Sequence, residues 1–325
     1  MKFKSYVYPL SLSAASAFLA NKNELNFLNA GGTDLLGLLK EDIIKADNIL
    51  NLKYLKDLKY INQEPSGELN IGALTSISEI INNVFIKKNY NVLHQAASQI
   101  ASPQLRNIGT VGGNLCQRPR CNYFRGDFNC LRKGGDTCFA FDGFNKYHCI
   151  MNGGPCFIVN PSDLAPALIS LGAFVSVFSN GREKEIPLQD FYILPSANYL
   201  KETILEKGDI VTKIRIPAQP RDLKSNYIKI KERETWDFAL VSLAASLVLD
   251  GKKITKGSLV FGGVAPAPYF SVKGNKDLIG LDLKNNKAIE SFAEAFVKDA
   301  NPLSMNGYKA IMMKNIIIKL FSEII

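Results

Sequence analysis

The chain has 325 residues, 46% hydrophobic and 21% charged, a balance that excludes intrinsic disorder and suits two or three domains or subdomains sharing a core. Its net charge of +9 is spread along the chain; it slightly favours an acidic partner surface and carries no information about fold. No stretch reaches the ~20 apolar residues of a spanning helix, because Lys314 and Lys319 interrupt AIMMKNIIIKLF, while Pro9, Ser11, Ser13 and Ser16 break the N-terminal run and argue against a signal peptide.

Residues 3–8 alternate as a short strand, and residues 14–20 carry one helical face, predicting a helix from Ser11 or Ser13. LNFLNAGGTDLLGLLK reads as a strand, a turn at Gly31 and Gly32, and a helix from Asp34. Paired glycines let backbone N–H groups approach a phosphate, although two glycines after a strand also make an ordinary turn. The G-x-G-x-x-G fingerprint is absent, so NAD is not inferred. Residues 48–52 and 69–74 predict strands on either side of a break at NQEPSGE, SISEIINNVF predicts a helix, and residues 92–100 predict another that contains His94. In QLRNIGTVGGNL, Gly109, Gly112 and Gly113 offer amides and Thr110 a hydroxyl. Two such turns beside helices favour a bound diphosphate more than one does.

All six cysteines fall between Cys116 and Cys156, in NLCQRPRCNYFRGDFNCLRKGGDTCFAFDGFNKYHCIMNGGPC. The segment lacks an apolar period and predicts an ordered loop, held by something other than a core. A disulfide framework is disfavoured, since the chain is long enough to bury a core and shows no secretory signal. Structural zinc prefers tight cysteine pairs, and only Cys116 and Cys121 approach that spacing. An iron-sulfur cluster, which thiolates at irregular spacing can enclose, is the favoured reading. Arg118, Arg120, Arg125, Arg132 and Lys133 outnumber Asp127 and Asp136 and would offset an anionic cluster; a solvated basic loop or an RNA-stacking zinc loop would use the same residues.

Residues 157–160 predict a strand, and PSDLAPALISLGA a helix capped by Ser162 or Asp163. Further strands are expected at 174–178 and 210–216, with a boundary near residue 222 at Pro217, Pro220 and RDLK. Alternating runs at 227–233, 239–249 and 257–261 then predict an antiparallel sheet, followed by helices near 288–298 and 307–323, as a separate smaller domain.

Taken in order, GGTDLL, GTVGGNL, PSDLAPAL, KIKERETWDFALVSLAASL, FGGVAPAP and PLSMNGYK resemble the flavoprotein (medium) subunit of the molybdenum hydroxylases, the family of xanthine dehydrogenase, carbon monoxide dehydrogenase and aldehyde oxidoreductases. The resemblance covers essentially the whole chain. The cysteine loop is similar to the four-iron four-sulfur (4Fe-4S) loop of 4-hydroxybenzoyl-CoA reductase flavoprotein subunits and, more closely through QRPRCNYF, of periplasmic aldehyde oxidoreductase FAD subunits.

The resemblance implies an α+β fold. A two-subdomain FAD-binding domain of the vanillyl-alcohol-oxidase (PCMH-like) type precedes a C-terminal domain of three-stranded antiparallel sheet with helices. The implied divisions are 1–57, 58–222 with the iron-sulfur loop at 116–156, and 223–325. Implied FAD contacts are Phe27, Leu28, Asn29, Ala30, Gly31, Gly32, Thr33, Asp34 and Leu35 in the first turn, and Gly109, Thr110, Gly112, Gly113 and Asn114 in the second. Asp163 corresponds to a position near the adenosine side and Lys229 to a basic position approaching the flavin. Implied cluster ligands are Cys121, Cys130, Cys138 and Cys156, leaving Cys116 and Cys149 as buried thiols and His148 as a loop hydrogen bonder; Trp236 is expected to pack near the flavin interface.

By the same resemblance the chain is an electron-transfer subunit with no catalytic residue of its own. Its partners would be a molybdopterin-binding large subunit and a 2Fe-2S small subunit, in a heterotrimer or a dimer of heterotrimers, with an external electron acceptor and neither nucleic acid nor membrane insertion. The alternative is an FAD-binding module with a structural zinc loop. The expected location is cytoplasmic, or periplasmic through a partner's twin-arginine signal.

Overall fold

Three sheets follow one another along the chain in the computed structural model, which describes residues 2–324. The first is parallel: β1 (Ser5–Val7), β2 (Asn26–Asn29) and β3 (Asn48–Asn51), with β3 in the middle and all four of its residues buried. Ser11 caps the helix Leu12–Ala20 by accepting from the Ala14 amide, and this helix packs Ala15 and Leu19 against Leu50.

The second sheet is antiparallel throughout. It contains β4 (Ile61–Gln63), β5 (Leu69–Gly72), β6 (Phe174–Ser179), β7 (Arg182–Pro187) and β8 (Ile210–Ile216), in the order β4-β5-β8-β6-β7. Between β5 and β6 the chain leaves the sheet to build the helices Ile77–Asn82, Val84–Asn89, Asn91–Ser98, Pro103–Ile108 and Val111–Leu115, and then the cysteine stretch. The helix expected through SISEIINNVF is divided, because the Asn83 side chain accepts from the Ile86 amide and starts a new helix.

The third sheet comprises β9 (Lys224–Ile230), β10 (Val241–Asp250) and β11 (Lys253–Gly262), antiparallel with β10 central. Along β10, Leu243, Ala245 and Leu247 belong to the C-terminal core with the helices Asn286–Val297 and Tyr308–Ile324, whereas Ala244 belongs to the core of the middle region. Alternate residues of a strand face opposite ways, so this sheet is covered on both sides. The expected C-terminal unit of three-stranded sheet and helices is present, and its sheet shares a buried face with the middle region.

Residues 157–160 form no strand; two isolated backbone bonds, Cys149 N–H to Phe157 O and Asn160 N–H to Ala265 O, hold them. The cysteine stretch is mostly irregular, as expected, with only the helix Asn122–Arg125 and a 3-10 turn at Leu131–Lys133. No helix among the described residues is long and apolar enough to cross a membrane.

The end of the cysteine stretch is anchored on the C-terminal unit. Asn306, fully buried, donates from Nδ2 to the carbonyls of His148 and Cys149 at 3.1 Å each and accepts from the Leu303 amide at 2.7 Å. Lys309 donates to the carbonyls of Tyr147 and Gly263, and burial lowers its pKa to about 8. Asn306→Ala strands two buried carbonyls and the half-buried Leu303 amide and is expected to lower unfolding free energy by about 2–4 kcal/mol; urea unfolding followed by circular dichroism measures the loss.

Candidate functional site

Three cavities adjoin in a row between the first glycine turn and the third sheet. The first, about 280 Å³, is largely apolar and lies between Phe27, Leu28, Leu52, Leu74 and Ile210. The middle one, about 260 Å³, shares Thr33, Asp34, Thr110, Gly113 and Gln117 with the first. The third, about 320 Å³, shares Arg120, Pro161, Asp163, Asp237 and Phe238 with the middle one. Two ring-sized spaces flanking a glycine-lined waist have the shape of a dinucleotide.

The two glycine turns form the waist, and they do different things. A Cβ on Gly31 would lie 2.3 Å from the Ile108 carbonyl oxygen, and one on Gly112 would lie 2.9 Å from the Ala73 Cβ, so both turns need glycine for backbone contact. Gly32 has φ +75°, a conformation that favours glycine. In the first turn, no hydrogen bond within the described residues engages the amides of Gly31, Gly32 or Thr33. The second turn was expected to offer exposed amides too. Instead, Val111 and Gly112 donate to the carbonyls of Thr75 and Ala73, Gly113 to the Thr110 hydroxyl and Asn114 to the Thr110 carbonyl. It is a wall, while the first turn is the donor.

The other predicted contacts are distributed along this row. Phe27, Leu28, Ala30 and Leu35 line the first cavity, and Gly109 and Asn114 the middle one. Asn29 is buried and gives its Nδ2 to Tyr6. Ser162, not Asp163, caps the helix Leu164–Ser170, by accepting from the Ala165 amide. Asp163 instead accepts from Lys229 Nζ and the Tyr227 hydroxyl, both at 2.7 Å, in a pair whose side chains are 7% and 1% exposed. Lys229 is therefore turned to Asp163 and to the Gln99 carbonyl. Trp236 is exposed and lines the middle cavity. Arg120, Asp237 and Phe238 were missed as lining residues; only the adjacency of Arg120 to Cys121 could have signalled one of them.

All six cysteines are free thiols. Cys121, Cys130, Cys138 and Cys156 come together. Cys138 and Cys156 share a hydrogen bond that lowers Cys138 to about 7 and pushes Cys156 up, and Cys121, raised to about 11 by burial, is close enough to feel Cys130 and Cys156. Backbone amides of Tyr123 and Phe124 point at the Cys121 sulfur, those of Ala140 and Phe157 at Cys138, and that of Ile158 at Cys156. Arg132, its side chain 1% exposed, directs its charge at Cys156, while its Nε and Nη2 are buried without a hydrogen-bond partner. This donor set suits anionic sulfur, with the Arg132 guanidinium set against Cys156. No three His, Cys, Asp or Glu side chains among the described residues close on one point as a single bound ion requires.

His148 Nε2 lies 3.2 Å from the Cys121 sulfur, and burial, aided by Lys309, lowers its pKa to about 4, so the ring is neutral. Cys116 lines the first cavity and is raised to about 12 by burial; Cys149 is buried beside Lys309. The remaining loop arginines serve acids outside the loop, Arg120 and Arg125 meeting Asp34 and Arg118 meeting Glu202, while Lys133 donates to the Gly126 carbonyl.

Comparison with known proteins matches residues 1–219 to the FAD binding domain in molybdopterin dehydrogenase and residues 226–324 to the CO dehydrogenase flavoprotein C-terminal domain. The aldehyde oxidoreductase FAD-binding subunit PaoB of Escherichia coli is 32% identical over 299 residues, covering 90% of each chain. The glyceraldehyde dehydrogenase medium chain of Sulfolobus acidocaldarius is 28% identical over 324 residues, covering 98% of each. Among solved structures, carbon monoxide dehydrogenase from Hydrogenophaga pseudoflava superimposes with a TM-score of 0.77 at 21% identity, over 98% of this chain and 96% of the other, and shows the same fold.

The contact between the glycine turns predicts the cost of filling it. Gly31→Ala forces the first turn off the Ile108 carbonyl and is expected to destabilise the fold by about 1–3 kcal/mol. The flavin released from the purified variant on denaturation, measured by fluorescence, should fall below the wild-type amount.

Proposed function

The chain belongs to the FAD-binding medium subunits of the molybdenum hydroxylases, and from that premise we propose that it is the electron-transfer subunit of such a complex, holding FAD in the row of cavities and a 4Fe-4S cluster on Cys121, Cys130, Cys138 and Cys156. The observation that carries this reading is the position of Cys121, which belongs to the converging cysteines and also lines the third cavity. When bound, FAD supplies exchange of one or two electrons and the cluster exchange of one.

The chain's own groups do the holding. The unspent amides of Gly31, Gly32 and Thr33 suit a diphosphate, and the flanking cavities suit its two ring systems. Arg132 and the amides around the sulfurs favour thiolates, as an anionic cluster requires.

The relatives' names, FAD-binding subunit and medium chain, support assembly with a molybdopterin-binding large subunit and a 2Fe-2S small subunit, from which electrons pass to an external acceptor. A cytoplasmic location is proposed with the cluster, which would be inserted there, and export on a partner's twin-arginine signal is the alternative.

Anaerobic purification of the full chain, with iron, acid-labile sulfide, zinc and flavin analysis and an electron paramagnetic resonance spectrum after reduction, tests the reading. About four irons and one FAD per chain are expected; zinc without iron overturns the cluster and leaves a flavin module with a structural loop. Cys130→Ser then separates two roles for the cluster. Slowed electron transfer is expected; unchanged turnover with a lower melting temperature would sink the relay and leave a staple.

A further inference from the structure

Arg120 stands where the cysteine stretch meets the cofactor groove. It immediately precedes Cys121 and lines both the middle and the third cavity. Its Nη2 lies 2.9 Å from Asp34 Oδ1 and 3.4 Å from Gln117 Oε1, the Phe238 ring centroid is 5.3 Å from the guanidinium carbon, and Nε is buried without a hydrogen-bond partner. A buried guanidinium nitrogen with no acceptor is costly. Asp34 does not neutralise Arg120 alone, because the same oxygen receives Arg125 Nη2 at 2.7 Å. The other carboxylates of these cavity walls are committed elsewhere: Asp163 to Lys229 and Tyr227, Asp237 to the amides of Glu232, Arg233 and Phe238, and Glu232 to Lys146 and Tyr147. The junction between the cavities therefore holds a guanidinium with an unused donor, beside the unspent amides of the first glycine turn.

We propose that Arg120 is an anion-binding residue for the diphosphate of the dinucleotide cofactor and that, through Asp34, it joins the cysteine loop and the cofactor groove into one binding unit. The inference rests on the FAD and cluster readings above. Asp34 belongs to the first glycine turn and Arg120 to the cysteine loop, so ordering either segment orders the other. Linkage makes the effect reciprocal: the factor by which the cluster tightens FAD is the factor by which FAD tightens the cluster.

A double-mutant cycle on the full-length chain tests this. FAD is removed, and rebinding is titrated by flavin fluorescence for wild type, Arg120→Gln, Cys130→Ser and the double variant, with iron measured in each. Arg120→Gln is expected to weaken FAD by about tenfold or more, as loss of a charge-assisted contact does. Cys130→Ser should weaken FAD several-fold in the wild-type background and add nothing in the Arg120→Gln background. Wild-type FAD affinity in Arg120→Gln, or an equal Cys130→Ser effect in both backgrounds, overturns the proposal. A wild-type chain that binds FAD but no iron defeats the cluster reading and the coupling with it, while the anion contact is still judged by Arg120→Gln. Should Arg120→Gln fail to fold, Arg120→Lys replaces it in the cycle: it keeps the charge but loses the planar fork whose separate nitrogens face Asp34 and the diphosphate, so an undiminished Cys130→Ser effect would refute the link.

Discussion

The carboxylate of Asp34 is the constraint on which the site depends. It stands at the end of the first glycine turn with its side chain 16% exposed, and it takes donors from Arg120, Arg125 and the Arg118 amide. A carboxylate that far from water is tolerable only with such charge-assisted partners. All three come from the cysteine stretch, which is therefore bound to fold against the turn. Glu202 acts in the same way from the other side, accepting from Arg118 Nε at 3.0 Å and Arg132 Nη1 at 2.5 Å. Two acids outside the loop thus hold four of its arginines, and the irregular backbone of 116–156 acquires a fixed position without a core of its own.

The opposite wall depends on a second buried ion pair. Asp163, following the capping Ser162, is held by Lys229 and Tyr227 of β9, so the middle region and the third sheet meet across a desolvated charge pair. Pairs of this kind contribute little net stability when intact, yet losing one partner costs about 3–5 kcal/mol. The pair thereby fixes how the third sheet sits on the cavities. The two-sided burial of β10 reinforces it, with Ala244 in one core and Leu243 and Ala245 in the other.

Elements with a strong apolar period were legible. Residues 48–52, 174–178, 210–216 and 239–249 all lie on strands close to those expected, because their buried faces leave an apolar pattern. β7 was not, since REKEIP is an almost wholly exposed edge strand whose pairing with β6 needs no apolar face. The four residues 157–160 carried the composition of a strand but make only isolated backbone bonds, to Cys149 and Ala265. The glycine turns looked equivalent in sequence, yet one spends its amides on its neighbours and the other keeps them.

The sequence by itself determined the family, the three-stranded C-terminal sheet, the two glycine turns and the confinement of every cysteine to one loop, because motifs, periodicity and composition are local properties. The tertiary structure decided which amides stay free, that Lys229 faces Asp163, that Cys121 lies beside a cavity within reach of Cys130, Cys138 and Cys156, and that the loop arginines answer Asp34 and Glu202. Those partners are separated by tens of residues along the chain, and a hydrogen bond or ion pair is set by distance and burial, which only the folded chain defines.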